Sequence, residues 1–338
     1  MAIVAVFLVY LLVKATVINP TPAEQENKTI GVLYFRQHLD TLNGMKQGMT
    51  ELGYTDQNLK YNEILLTPGP NLYQDIDNGV RQLVNGGVDL IWISMEHQGL
   101  EALKITKEMG RTDVPIVFMA RFHDPVAFGL AASYKSSGNN STGVATDMPQ
   151  NVQKTLQFFK EINPNAKKVG VFGAGFMVPP NFGDAYLEEL KKQAPKFGMS
   201  VVEYKTDKAP DLTIGNWKEV ADTIKPGDID AIFHIAVHFY DPQETAETEL
   251  AKRLRIPVAV PSEDLPTGGT FSYSDDFARS AAQAAVMIDK IFDDTLPKDI
   301  PVEFGSKQIL RLNLKRASET GITFPNSMLF IAEEQITQ

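Results

Sequence analysis

The feature that most constrains the fold of this chain is an alternation of strand-like and helix-like segments that begins at Thr29. Short runs of apolar, β-branched and aromatic residues predict the strands 29–35, 61–67, 88–94 and 114–120. Apolar residues at three- and four-residue spacing predict the helices that separate them, at 41–52, 73–85 and 98–109. Strands that alternate with helices of this length are typical of a doubly wound parallel sheet.

The alternation restarts after Val144, which predicts a second unit of the same kind. Its predicted helices and strands follow in the order 152–162, 168–172, 184–197, 200–205, 217–224, 231–236, 245–254 and 258–260. The tail adds a strand at 270–273, a long helix at 276–292 and a strand at 308–313. A single strand and helix after the second unit indicate that the chain returns to the first lobe and crosses again. Repeated crossings are typical of a hinge between lobes that close around something.

Composition excludes several classes of protein. The 338 residues fit two lobes of about 100–200 residues each. A net charge of −10 argues against a nucleic-acid-binding surface, which needs a basic footprint. The absence of cysteine excludes thiol catalysis, disulfides and cysteine-ligated zinc.

The first residues form a short apolar run at 2–13, followed by Lys14 and a polar stretch from Asn19. The run is too short for a full membrane span of roughly 20 residues and matches the apolar part of a signal peptide. We expect residues 1–18 to be an export signal or an uncleaved membrane anchor, with a buried first strand or helix as the alternative. Everything from Thr29 onward would then lie outside the cytoplasmic membrane.

The catalytic and cofactor motifs that we tested are absent or incomplete. Gly173-Ala174-Gly175 follows a strand but lacks the third glycine and the immediate helix of a dinucleotide loop. No phosphate-binding loop or nucleophile elbow is present. His234 and His238 could share a face and hold a metal, but packed or loop histidines are the favoured interpretation. We therefore expect no enzyme activity, no cofactor and no metal.

The segment 115–125 carries the strongest candidate for ligand binding. Its apolar run 116–119 predicts a strand buried on both faces, and Arg121, His123 and Asp124 follow at once. Open parallel sheets bind ligands outside the carboxyl ends of their strands, so Arg121 is a candidate anion-binding residue. The alternative is that Arg121 only pairs with Asp124 or caps a loop.

Short motifs spread along the chain resemble those of the exported substrate-binding proteins of ABC transporters, of the tryptophan- and tyrosine-uptake type. They are Glu51-Leu52-Gly53-Tyr54, Val88-Asp89-Leu90-Ile91, Pro115-Ile116-Val117-Phe118, Asp124-Pro125-Val126, Asn140-Ser141-Thr142-Gly143-Val144, Pro164-Asn165-Ala166-Lys167, Leu312-Asn313-Leu314-Lys315, Gly321-Ile322 and Pro325. The resemblance implies the type I periplasmic-binding-protein fold: α/β, with two doubly wound parallel-sheet lobes joined by a three-segment hinge. It implies 28–145 plus about 273–300 as the first lobe, and 146–272 plus about 301–338 as the second.

The chain departs from this family at three places in the expected ligand crevice. Ser94-Met95-Glu96-His97-Gln98 replaces small residues after the third strand, and Arg121-Phe122-His123 lengthens the loop after the fourth. Ser274-Asp275-Asp276-Phe277 replaces a tyrosine-containing turn before the long helix. The resemblance therefore implies the scaffold and leaves the identity of the ligand open.

We expect an amino-acid-like ligand, aromatic ones included, held between the lobes. Arg121 is assigned to a carboxylate, Glu96 or Glu263 to an ammonium group, and Phe176 or Tyr240 to an apolar portion. The full set of predicted ligand-binding residues is Gln37, His38, Ser94, Glu96, Arg121, Asp147, Phe176, His238, Tyr240, Ser262, Glu263 and Ser274.

The function expected from this reasoning is the extracytoplasmic solute-binding component of an ABC importer. Its partners would be a small-molecule ligand and a membrane permease with its ATPase, with no nucleic acid, and the chain would be a monomer. The alternative is an exported ligand-sensing domain that signals to a membrane partner.

Overall fold

The computed structural model describes residues 27–67, 71–172, 184–204, 214–235, 241–262 and 264–337. The predicted signal peptide or anchor, 1–18, lies outside the described residues. The helices and strands are, in chain order, β1 (Lys28–Phe35), α1 (Leu39–Glu51), β2 (Leu59–Leu66), α2 (Leu72–Asn85), β3 (Leu90–Ile93), α3 (Glu96–Glu108), β4 (Ile116–Ala120), β5 (Ser141–Ala145), α4 (Met148–Ile162), β6 (Lys168–Phe172), α5 (Asp184–Gln193), β7 (Ser200–Tyr204), α6 (Ile214–Thr223), β8 (Ala231–Phe233), α7 (Asp241–Leu254), β9 (Val258–Ala259), β10 (Phe271–Asp275), α8 (Phe277–Phe292), β11 (Glu303–Phe304), β12 (Gln308–Asn313), α9 (Leu314–Thr320), α10 (Asn326–Ile331) and β13 (Glu334–Ile336).

The chain divides into two compact units. Unit 1 contains the described residues up to Thr146 together with Asp276–Lys307, and unit 2 contains Asp147–Asp275 together with the described residues from Gln308. The backbone therefore passes between the units three times. The last crossing comes after Lys307, later than the expected position near 300, because the short strand β11 pairs with β5 and so belongs to unit 1.

Unit 1 is built on a six-stranded sheet in the order β11-β5-β4-β3-β1-β2, and all of its paired strands are parallel. β3, β4 and β5 are buried along their whole length, as continuous apolar or small-residue strands covered on both faces should be. Gly143 in β5 is required by packing, since a Cβ there would lie 2.1 Å from the carbonyl oxygen of Phe118. The parallel sheet predicted from the alternation is confirmed for this unit.

Helices α1 and α8 pack closely on one face of the unit 1 sheet. A Cβ on Gly44 of α1 would lie 2.1 Å from the carbonyl oxygen of Ala278, and one on Gly48 would lie 2.8 Å from the Cβ of Ala285. These two glycines let the helix backbones approach each other. The long helix predicted at 276–292 is thus present as α8, within unit 1, and its first turn is capped by Asp276, which accepts from the N–H of Arg279.

Unit 2 is built on a seven-stranded sheet in the order β13-β12-β10-β9-β8-β6-β7. Its strands pair in parallel except for β10 and β12, which are antiparallel. The predicted parallel fold is therefore confirmed with one correction: the tail strand at 308–313 runs against its neighbour. The helix expected at 184–197 ends at Gln193 and continues as one 3₁₀ turn, Ala194–Phe197, with Pro195 inside it.

Candidate functional site

The carboxyl ends of β1, β3 and β4 lie at one edge of the unit 1 sheet, and the polar residues that follow these strands meet there. Arg121 comes directly after β4 and only 2% of its surface is exposed. Its guanidinium carbon lies 3.6 Å from the centroid of the Phe277 ring, and its Nη1 donates to Thr41 Oγ1 at 3.1 Å. Three elements, β4, α1 and α8, thus fix the plane of this cation.

The alternative of an Arg121–Asp124 ion pair does not describe this loop. Oδ1 of Asp124 accepts from the backbone N–H groups of Val126 and Ala127, and its Oδ2 accepts from the Tyr134 hydroxyl at 2.6 Å. Asp124 therefore caps the turn that follows it, which is a common use of aspartate in loops.

Glu96, the first residue of α3, is fully buried and ties this helix to the loop after β4. Its Oε2 accepts from the backbone N–H of Arg121 at 2.9 Å, and its Oε1 accepts from the N–H of Phe122 at 3.2 Å and from His123 Nδ1 at 2.8 Å. Burial alone would raise the pKa of Glu96, but the hydrogen bond from His123, the nearby imidazoles and the N–H of Arg121 lower it. Glu96 is thus ionised at neutral pH. Because a carboxylate only accepts, Nδ1 of His123 carries the hydrogen.

His97, His123 and Phe128 form an aromatic cluster beside Glu96. The His97 and His123 rings meet edge to face at 5.0 Å, and the Phe128 ring lies 4.7 Å from the first and 4.6 Å from the second. Burial lowers the pKa of His97 to about 4, although the charge of Glu96 opposes the shift. His97 is therefore neutral at pH 7.

A second buried polar chain follows β1 and β3. His38, Ser94 and Gln98 are all fully buried; His38 Nδ1 bonds Ser94 Oγ at 3.0 Å, and Ser94 Oγ donates to Gln98 Oε1 at 3.3 Å. The Nε2 atoms of Gln98 and of the half-buried Gln37 have no hydrogen-bond partner among the described residues. A buried amide donor left unmatched costs about 1–3 kcal/mol, so each of these two donors would be stabilised by an acceptor.

Of the residues predicted near the crossings or in the second lobe, three lie in the part of the chain that the structure describes. Asp147 caps α4, since its carboxylate accepts from the N–H of Gln150 at 3.1 Å. Ser274 is buried in β10, and its Oγ has no partner among the described residues. Ser262 is half-buried after β9. The predicted contacts Phe176, His238, Tyr240 and Glu263 lie outside the described residues.

His234 follows β8 at the carboxyl edge of the unit 2 sheet and is buried. Its Nδ1 lies 2.6 Å from Glu247 Oε2, and its Nε2 lies 3.7 Å from Asp264 Oδ2. This histidine is packed between two carboxylates. The metal pairing considered with His238 involves a residue outside the described part.

Five of the predicted ligand-binding residues lie at the unit 1 edge: Gln37, His38, Ser94, Glu96 and Arg121. The residues that contact them there were not in the predicted set; they are Thr41, His97, Gln98, His123 and Phe277. One signal could have found part of this set, because Glu96-His97 and His123 follow neighbouring predicted strands, whose carboxyl ends meet in a parallel sheet. Phe277 belongs to the third departure from the family, but its contact with Arg121 could not be found this way, because it depends on how α8 packs in unit 1.

Within the described residues, no helix is both long and apolar enough to span a bilayer.

Comparison with known proteins gives matches along most of the chain. Residues 30–336 match the family described as ABC transporter substrate binding protein. A tyrosine-binding protein of Clostridioides difficile (strain R20291) is 24% identical over 292 residues, which cover 84% of this chain and 78% of that protein.

Solved structures show the same fold. A domain from Streptococcus pneumonia in complex with L-Trp is 23% identical with a TM-score of 0.76, and the match covers 92% of this chain and 100% of that one. A ligand-free, open substrate-binding protein with adhesive properties from Clostridium difficile is 19% identical with a TM-score of 0.71, at the same coverage. A periplasmic solute-binding protein from Actinobacillus succinogenes with bound D-allose is 13% identical, with a TM-score of 0.59 over 87% of this chain and 99% of that one. The fold is that of the type I periplasmic binding proteins.

Proposed function

The chain belongs to the ABC transporter substrate-binding proteins, and from this premise we propose that it captures an amino-acid-like small molecule outside the cytoplasmic membrane. It delivers this ligand to a membrane permease with its ATPase, as a monomer, and performs no chemical conversion. The tyrosine-binding relative and the L-Trp complex support an amino acid, aromatic ones included, as the ligand class.

The observation that carries the proposal is the guanidinium of Arg121 at the carboxyl end of β4. Stacking on Phe277 uses one face of its plane, and Thr41 takes one of its N–H groups. The fork of N–H donors in the plane is the geometry that recognises a carboxylate by paired hydrogen bonds. Because both contacts fix the plane before any ligand arrives, little side-chain entropy is lost on binding.

The unmatched amides of Gln37 and Gln98 support a polar ligand at the same edge. Each offers an N–H donor that has no partner among the described residues. A carboxylate or carbonyl oxygen of an amino-acid-like ligand would satisfy such donors, and the net gain per hydrogen bond is about 0.5–1.5 kcal/mol. The site would then discriminate against ligands that lack hydrogen-bond acceptors, since such ligands would leave the two amide donors unmatched.

The test is native mass spectrometry of protein purified under mild conditions, followed by calorimetric titration with the ligand found and with aromatic amino acids. Arg121→Gln should weaken binding by at least about tenfold, because a hydrogen bond to a charged group contributes about 1.5–3 kcal/mol. Arg121→Lys keeps the charge but loses the planar fork and should also bind more weakly.

The matched control is Arg111→Gln. Arg111 is an exposed arginine of the same unit and pairs with Asp113 at 2.9 Å. Its replacement should leave the affinity unchanged. Equal affinity in the parent and in both folded Arg121 variants would overturn the assignment of Arg121.

Gln98→Met separates a ligand contact from a structural role. Methionine has a similar shape and removes both the unmatched donor and the acceptor that Ser94 Oγ uses, so the two effects oppose each other and the melting temperature of the ligand-free protein should change little. Ligand affinity should fall, because the donor is no longer there to bind. A variant that loses stability but keeps its affinity would show that the amide serves the fold alone.

The remaining assignments stay predictions. The contacts of Glu96 with the backbone make it a residue that positions Arg121, and its proposed contact with an ammonium group awaits the ligand titrations. Closure of the lobes on ligand binding is likewise a prediction, which a fall in the radius of gyration measured by small-angle X-ray scattering would support.

A further inference from the structure

Glu96, His97 and His123 bring three metal-ligating atoms together at the unit 1 edge. One carboxylate oxygen and one imidazole nitrogen from each histidine lie within 4.8 Å of one another. Glu96 Oε1 lies 2.8 Å from His123 Nδ1 and 3.8 Å from His97 Nδ1. Two donors bound tetrahedrally to one zinc ion lie about 3.4 Å apart, given bond lengths of about 2.0–2.2 Å. These two distances lie on either side of that value, and the third pair of donor atoms, one nitrogen of His97 and one of His123, lies within 4.8 Å.

The cluster is largely buried, and its carboxylate is held by backbone hydrogen bonds. The side chains of Glu96, His97 and His123 are 0%, 6% and 11% exposed. The backbone N–H groups of Arg121 and Phe122 bond the Glu96 carboxylate and fix its orientation, as the outer contacts of metal ligands do.

Phe128 supplies an apolar wall against both imidazoles. Its position is set by the loop itself, since its backbone N–H donates to the carbonyl oxygen of Asp124 at 2.8 Å. The charge of Glu96 at the first turn of α3 offsets the positive end of the helix, which would otherwise oppose a cation.

We propose that Glu96, His97 and His123 form a binding site for one divalent first-row transition ion of the zinc type. Two imidazoles and a carboxylate are a donor set that suits such ions better than Mg²⁺ or Ca²⁺, which prefer oxygen ligands alone. The ion takes the place of the hydrogen on His123 Nδ1 and links α3 to the loop after β4. With three protein ligands, a fourth position remains for water or for a donor atom of another molecule.

The experiment uses Zn²⁺ alone, without any organic ligand, so its outcome is independent of the proposed function. Full-length protein carrying no polyhistidine tag is stripped with chelator and titrated by calorimetry, and metal content is measured after dialysis. We expect one Zn²⁺ per chain and a rise in melting temperature on binding. His97→Asn and His123→Asn should each weaken Zn²⁺ binding by at least about tenfold.

His234→Asn is the matched control. His234 is also buried and also bonds a glutamate, Glu247, but it lies in unit 2 outside the cluster. This variant should bind Zn²⁺ as the parent does. NMR of the parent protein gives a second measurement that requires no variant. The imidazole nitrogen signals of His97 and His123 should shift when Zn²⁺ is added. A parent protein that takes up no Zn²⁺, or folded His97 and His123 variants that bind it equally well, would overturn the proposal.

Discussion

Replacement of Glu96 by glutamine is the sharpest test of how the unit 1 edge is held together. The substitution keeps the shape of the side chain and removes its charge and one acceptor. The carboxylate accepts three hydrogen bonds, from the N–H groups of Arg121 and Phe122 and from His123 Nδ1. A glutamine amide has one acceptor oxygen, and its best orientation keeps that oxygen toward Phe122 and His123. Its NH₂ group then faces the N–H of Arg121.

The loss of stability follows from these contacts. A buried backbone N–H left facing another donor costs about 1–3 kcal/mol, and the change from a charged to a neutral acceptor at His123 costs about 1 kcal/mol more. We therefore expect Glu96→Gln to destabilise unit 1 by about 3 kcal/mol at neutral pH.

The effect should depend on pH with a definite sign. Burial would raise the pKa of Glu96, but the bond from His123 and its other partners lower it in the folded protein. A carboxyl group whose pKa is lower in the folded than in the unfolded protein stabilises the fold at pH values above its unfolded pKa of about 4.3. This stabilisation is lost as the pH falls through the pKa of the folded protein. The difference between the parent and Glu96→Gln should thus be largest at neutral pH and shrink in acid.

Hydrogen exchange is the appropriate assay, because two compact units need not unfold in one transition. The Arg121 and Phe122 amides should lose protection in Glu96→Gln when measured in chelator-containing buffer. Glu101→Gln is the control: the same substitution in the same helix α3, at a carboxylate that bonds only the exposed Lys104 at 3.3 Å among its described contacts. The free energy of unfolding of Glu101→Gln should lie within about 0.5 kcal/mol of the parent's. If both variants behaved alike, the role given to Glu96 would be refuted.

Two further predictions concern titration and helix packing. Because burial lowers the pKa of His97 to about 4, stability should be lost as the pH falls from about 6.5 toward 4. His97→Asn should flatten this part of a denaturation profile, and a titration midpoint for His97 near 6.5 in an NMR experiment would contradict the reasoning. Gly44→Ala should destabilise by more than about 2 kcal/mol, since its Cβ would lie 2.1 Å from the carbonyl oxygen of Ala278. Gly79 also occupies a buried helix position, but a Cβ there would lie 3.5 Å from the Ile64 side chain, which is an ordinary contact. Gly79→Ala should therefore stabilise the protein by up to about 1 kcal/mol. Equal shifts of the melting temperature in the two variants would contradict the packing argument.

Much of the fold could be predicted because local pattern and topology agree. β3 and β4 are continuous apolar runs and are buried along their length, as strands covered on both faces require. β5 and β11 were not predicted as strands. β5 contains Ser141, Thr142 and Gly143, and β11 has only two residues, so neither carries an apolar run. Their strand conformation comes from pairing with neighbours in the sheet.

The candidate site was predictable only in part. Residues that follow strands could be placed at one edge of a sheet from the sequence alone, which located His38, Ser94, Glu96 and Arg121. Their roles depend on contacts distant in sequence that no local pattern encodes. Glu96 illustrates this: a carboxylate assigned to an ammonium group accepts hydrogen bonds from backbone groups 25 and 26 residues away.

Arg121, in the loop after β4, is held at two points. Glu96 holds the backbone of Arg121, while Phe277 and Thr41 hold its guanidinium, so both ends of the residue are fixed independently. If Arg121 binds the ligand, loss of the hydrogen bond to Glu96 should displace Arg121 but leave its positive charge in place. Glu96→Gln should then weaken ligand binding less than Arg121→Gln does, but more than Arg111→Gln. Calorimetric titration of the three folded variants checks this order. Full affinity in Glu96→Gln would mean that Phe277 and Thr41 alone position the cation.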